Sequence, residues 1–176
     1  MDYELDDAVI VLRRTPHVLR ALLEGLPDRW TTANEGDGTW TPYDIVGHLI
    51  HADRTDWIPR VEHVLRHGGA VPFPAFDREG MFAASRGRSL AELLETFDQV
   101  RAESLDRLAA LRLTTADLER VGRHPEFGDV RLRQHLATWV AHDLTHVTQI
   151  ARVMARRYAA AVGPWRQYLR IVREQV

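Results

Sequence analysis

The residues of this chain best suited to chemistry are its histidines, above all His142 and His146 in the stretch HDLTH. On a helix, positions four apart differ by about 40° in direction and one turn in height, so both imidazoles can address a single ion. Counted from Trp139 at about 100° per residue, both fall within about 60° of the middle of an apolar stripe that includes Leu132, Leu136, Trp139, Ile150 and Met154, and so face inward. Two readings compete at this point. A lone inward histidine is commonly a core residue bonded to a hydroxyl or carbonyl, whereas two such rings are costly to bury unless something satisfies both. A third inward histidine on another helix favours a metal. His48, beside the stripe Ile45, Leu49 and Ala52, is the candidate, and His51 lies further round. Three neutral imidazoles leave a first-row ion with open positions, the mark of a catalytic rather than a structural site.

A zinc-protease reading of HDLTH requires glutamate after the first histidine and fits poorly, because that position is Asp143 and no histidine follows His146. Around the pair, Gln149 is placed to hydrogen-bond a ligand imidazole, and His135 is a second candidate for that task. His17, His63, His67 and His124 lie at helix flanks or in loops and read as solvated surface. Water activation at such an ion would call for a carboxylate base, for which Asp53, Asp56 and Asp143 are candidates. Arg60, Arg131 and Arg133 are candidates to clamp a carboxylate, although nothing singles one out and a solvated helix face is the better reading of each.

Composition narrows the chemistry. The chain has no cysteine, which excludes disulfides, a thiolate nucleophile and cysteine-ligated metals; a thiol must arrive with a substrate. All 23 basic residues are arginine, so a Schiff-base lysine is excluded as well. Acids and arginines interleave at a net charge of −2, without the basic stripe of a nucleic-acid binder. No apolar run approaches the ~20 residues that span a bilayer, and the acidic opening MDYELDD does not read as a secretory signal. A cytoplasmic location follows as an expectation, with no membrane partner.

The elements that must position these residues are helical. Residues 4–25 carry one amphipathic pattern, with a bend expected at Pro16. Thr41, Pro42 and Asp44 form a capping-box start for a second helix reaching about residue 67, with a kink expected at Pro59. Residues 70–87 read as a long loop, SLAE (89–92) caps a third helix ending near 111, and TTADLERVG gives one extra turn. RHPEFGDV reads as loop, a fourth helix runs from about Arg131 to Tyr158, and WRQYLRIV forms a short terminal helix after the break at VGP. No strand pattern of useful length is visible. The expected architecture is one all-α domain over residues 1–176, a four-helix bundle with long connections whose topology chain order leaves open.

WTPYDIVGHLIHAD (40–53), FGDVRLRQHLATWVAHDLTHVTQI (127–150) and, more loosely, VGPWRQYL (162–169) resemble the DinB/YfiT-like helical-bundle metalloproteins. They match that family's W-[ST]-x-x-[DE]-x-x-x-H entry into the second helix and its H-x-x-x-H-x-x-Q pair on the fourth. The resemblance implies a bundle binding zinc, nickel or another divalent ion through His48, His142 and His146, with Asp143 where glutamate is commoner. Characterised members include bacillithiol S-transferases and a mycothiol-dependent maleylpyruvate isomerase. The resemblance therefore implies a low-molecular-weight thiol cosubstrate, an electrophilic small-molecule substrate, and a metal-dependent S-transferase, with a homodimer as the expected assembly. A metal-dependent hydrolase, or a non-enzymatic metal-stabilised bundle of the stress response, is the alternative.

Overall fold

A computed structural model describes residues 3–173. Helix α1 (Leu5–Leu23) runs unbroken through Pro16 and buries Leu12, Thr15, Leu19 and Leu23 along one face. A single helical turn, α2 (Asp28–Thr31), interrupts the segment that leads to the second long element.

That element is a rod in three parts. Helix α3 (Pro42–Ala52) opens on the expected capping box, with Thr41 and Asp44 each satisfying the other's backbone N–H. A π turn follows (Asp53–Trp57), and α4 (Ile58–His67) completes the rod. Where a kink was expected at Pro59, the helix widens instead. Proline has no N–H to donate and its ring collides with the carbonyl four residues back, here that of Thr55; an i→i+5 turn just before it opens the spacing and removes the collision.

The long connection after α4 contains α5 (Gly80–Ser85), and α6 (Leu90–Ala110) starts on a second capping box made by Ser89 and Glu92. One turn, α7 (Thr115–Leu118), leads to an antiparallel hairpin of β1 (Val121–His124) and β2 (Gly128–Arg131), paired from Val121 opposite Arg131 to His124 opposite Gly128. This corrects the reading of that stretch as loop: strands of four residues are too short to display an alternating pattern. Helix α8 (Leu132–Arg156) is the longest, and a 3₁₀ turn (Gly163–Tyr168) with α9 (Arg170–Arg173) follows it. No helix among the described residues is long and apolar enough to cross a membrane.

Helix α1 packs on α6 and α8, and the α3–α4 rod packs on the same two, so the first two long elements sit diagonally in the bundle. One apolar cluster joins Leu12, Ile58, Val61, Leu105, Leu108, Leu136 and Trp139; the other joins Leu19, Leu23, Ile45, Leu49, Leu93, Phe97 and Ile150. Helices α1 and α8 therefore run one way, the rod and α6 the other. Between the clusters lies a buried polar layer of Thr15, Asp53, Arg101, Ser104 and Asp143.

Candidate metal centre

The capping box that starts α3 also places Trp40. Its ring, one residue before the cap, lies 4.7 Å from the His48 ring and 6.1 Å from that of His146, nearly parallel to the latter. His48 projects from the second turn of α3, and His142 and His146 project from successive turns of α8. Nε2 of His142 stands 3.0 Å from Nε2 of His48 and 3.1 Å from Nε2 of His146. The three inward histidines expected from the sequence thus converge at one point. His51 is elsewhere, its Nε2–H donating to the Asp77 carbonyl at 2.8 Å.

The donor set suits a divalent ion. Nitrogens each about 2.0–2.1 Å from one zinc stand roughly 3–3.5 Å apart, the spacing seen between these ε-nitrogens. Three ring nitrogens that approach one another cannot all be paired by hydrogen bonds, because each carries either a proton or a lone pair, and at least two must be alike. Burial, reinforced by the neighbouring imidazoles, pulls the pKa of His48 down to about 3 and that of His142 to about 2, and burial also lowers that of His146. All three are therefore neutral near pH 7, the form that ligates metal. Nδ1–H of His146 donates to Oε1 of Gln149 at 2.8 Å, which leaves the Nε2 lone pair pointing at the cluster, as the spacing of Gln149 suggested. The Nδ1 atoms of His48 and His142 are buried without a hydrogen-bond partner.

The other candidates separate clearly. His135 is not a partner of any ligand candidate; its Nε2–H donates to the Trp57 carbonyl at 3.0 Å, inside the core. Asp53 and Asp143 are both bound by Arg101, which makes five hydrogen bonds with its five N–H groups. Nε and Nη2 reach Asp53 at 2.7 and 2.9 Å, Nη1 and Nη2 reach Asp143 at 2.5 and 3.1 Å, and Nη1 reaches the Leu12 carbonyl at 2.9 Å. The guanidinium lies between the Phe97 and Trp139 rings. Arg101 was not among the sequence candidates, yet a signal exists. Leu49→Asp53, Phe97→Arg101 and Trp139→Asp143 each put a charge four residues after a core residue, on the inward face, and the three nearly balance. Arg131 and Arg133 pair with Glu119 at the surface, away from the histidines.

The histidines form the floor of a cleft of about 560 Å³. Trp40, Trp57 and Phe76 supply its apolar walls, and Arg60, Arg78 and His124 also line it. His124, expected at the surface, is half-buried here at the end of β1, its Nδ1 accepting from the backbone N–H groups of Glu126 and Phe127. His48, Ala52, Asp56 and Arg60, spaced by four along the rod, all reach this cleft. In an unbroken α-helix the twelve residues from His48 to Arg60 would rotate Arg60 about 120° away. The π turn absorbs one residue and cuts that to about 20°.

A model of the DinB superfamily matches residues 12–150. Among solved structures, YfiT from Bacillus subtilis, described as a probable metal-dependent hydrolase with an unusual four-helix bundle topology, matches with a TM-score of 0.73 and 21% identity. The match covers 86% of this chain and 86% of YfiT. None of the curated proteins matches significantly. With most of its length matched by the family model and its bundle shared with YfiT, the chain belongs to the DinB superfamily.

Proposed function

We propose that this protein is a metal-dependent enzyme in which His48, His142 and His146 hold a divalent ion, zinc or nickel, and that it transfers a small thiol of the mycothiol or bacillithiol type to an electrophile. The observation that carries the metal reading is the convergence of three neutral ε-nitrogens at the floor of an open cleft. When bound, such an ion lowers the pKa of a coordinated thiol or water. The protein's own residues do the rest. Gln149 fixes the tautomer of His146, Trp40 covers two of the imidazoles, and Trp57 and Phe76 offer apolar walls to the body of a substrate.

A thiol is favoured over water because each acid considered as a base is held by an arginine. Asp53 and Asp143 are locked to Arg101, and Asp56 is paired with Arg60 at 2.8 Å. A thiol that is deprotonated on coordination needs no such base, and the cysteine-free chain must receive it from outside. The second reading is a hydrolase. It is supported by Asp56, a buried acid lining the cleft, which would take a proton from water, and by the description of YfiT.

Elemental analysis of wild type and of His48→Ala, His142→Ala and His146→Ala tests the ion; stoichiometric metal retained in all three variants would sink the site. The metal-loaded protein should then consume a conjugatable electrophile only when a small thiol is supplied. Turnover without thiol would favour the hydrolase.

A further inference from the structure

At the end of the cleft away from the histidines, Arg60 is held as a rigid, mostly buried cation with donors to spare. Its side chain is 11% exposed, Nε is ion-paired with Oδ1 of Asp56 at 2.8 Å, Nη2 donates to the Pro74 carbonyl at 3.3 Å, and the guanidinium lies 5.1 Å above the Phe73 ring. A guanidinium has five N–H groups. The two on Nη1 and the second on Nη2 meet no acceptor among the described residues, although Arg60 lines the cleft. Arg78, exposed on the same cleft, makes no hydrogen bond or ion pair among those residues. A planar fork with its orientation fixed and its outer edge unpaired is the geometry that receives a carboxylate in two parallel hydrogen bonds.

We infer that Arg60 anchors the carboxylate of a substrate whose apolar body lies between Trp57 and Phe76, with its reacting end at the three histidines. The donor geometry favours a carboxylate: Asp56 already shares the charge of Arg60, and the free edge of its guanidinium offers one parallel pair of N–H donors, which the two oxygens of a carboxylate match. The reach also fits. Arg60 leans back toward Asp56, and Asp56 lies roughly 10 Å along the rod from His48 once the residue absorbed by the π turn is discounted. That span matches a small aromatic or aliphatic acid. The position of the reacting end rests on the metal reading above; the anion contact does not.

The test is calorimetric titration of the purified protein with 4-phenylbutyrate and its amide, 4-phenylbutyramide, for wild type, Arg60→Gln and Asp56→Asn, with metal content measured on the same samples. Arg60→Gln should weaken carboxylate binding at least tenfold and leave the amide unchanged. Asp56→Asn should tighten carboxylate binding severalfold, because the cation is no longer shared, and fold damage would not produce that sign. Equal carboxylate affinity in Arg60→Gln and wild type, or an amide bound as tightly as the acid by wild type, overturns the inference. If Arg60→Gln does not fold, Asp56→Asn decides alone, and unchanged or weaker carboxylate binding overturns it. Arg60-dependent binding in protein that retains no metal would uphold the anion site while removing the metal reading.

Discussion

Replacing Arg101 with methionine should destabilise the protein by about 3–5 kcal/mol, the usual cost of removing one partner from a buried ion pair. The structure places this change at the upper end. Arg101 and both carboxylates are essentially inaccessible, five hydrogen bonds end on the one guanidinium, and the Leu12 carbonyl loses its side-chain donor too. Against a total stability of ~5–15 kcal/mol for a chain of this kind, the loss is large but measurable. Its dependence on pH distinguishes stranded charge from simple loss of packing. Burial already raises the pKa of Asp53 against the opposing pull of Arg101, so without the arginine it must rise further. A carboxyl whose folded pKa exceeds its unfolded value stabilises fully below the unfolded value, and that contribution is lost as pH rises through the folded one. The deficit of Arg101→Met relative to wild type should therefore shrink as pH falls from 7.5 toward 5, read by urea unfolding followed by far-UV circular dichroism. Adding Asp53→Asn and Asp143→Asn to the same chain should recover much of the loss, since neutral amides can be buried at lower cost. A deficit below about 1 kcal/mol, or one that does not change with pH, would refute the view that this layer is held by charge.

Two further outcomes are open to measurement. Burial pulls the pKa of His135 down to about 4, so neutral His135 contributes stability above its unfolded pKa near 6.5, and that contribution drains away as pH falls from 6.5 to about 4. Between pH 7 and pH 4 wild type should lose roughly 3 kcal/mol more than His135→Gln in urea unfolding, and equal losses would show that His135 does not titrate in this way. Gly122→Ala should cost about 1–3 kcal/mol by overpacking, because its Cβ would come 2.6 Å from both the Phe73 ring and a Val64 methyl. As Phe73 lies beneath the Arg60 guanidinium, the same change should weaken carboxylate binding, and a variant as stable as wild type with unaltered binding would contradict this account.

The site was more legible in the sequence than the layer that supports it. His48, His142 and His146 stand out because helical periodicity alone turns them inward, and Thr41 and Asp44 announce where the count begins. Arg101 was hidden by composition: among 23 arginines, one at an inward position of α6 looks like the rest unless the matching acids, four residues after Leu49 and Trp139, are read together with it. The convergence on one cleft of Arg60 from α4, Phe76 from a loop and His124 from a hairpin is tertiary, and no local pattern encodes it. The diagonal placement of α1 and the α3–α4 rod is likewise set by which faces pair across the bundle, a choice that periodicity leaves free.

The π turn at Asp53–Trp57 marks a place where this chain could change in length. Because the turn already absorbs one residue, removing one there would restore a regular helix and keep Ile58, Val61, Val64 and Arg60 on their present faces, but that helix would drive the Pro59 ring against the carbonyl four residues back. Substitution is another matter, for Arg54 and Thr55 are exposed and their identities are little constrained by packing. Relatives should thus vary freely in the letters at these two positions, and a chain with a one-residue gap here should keep the same far end of the cleft while lacking the proline that follows.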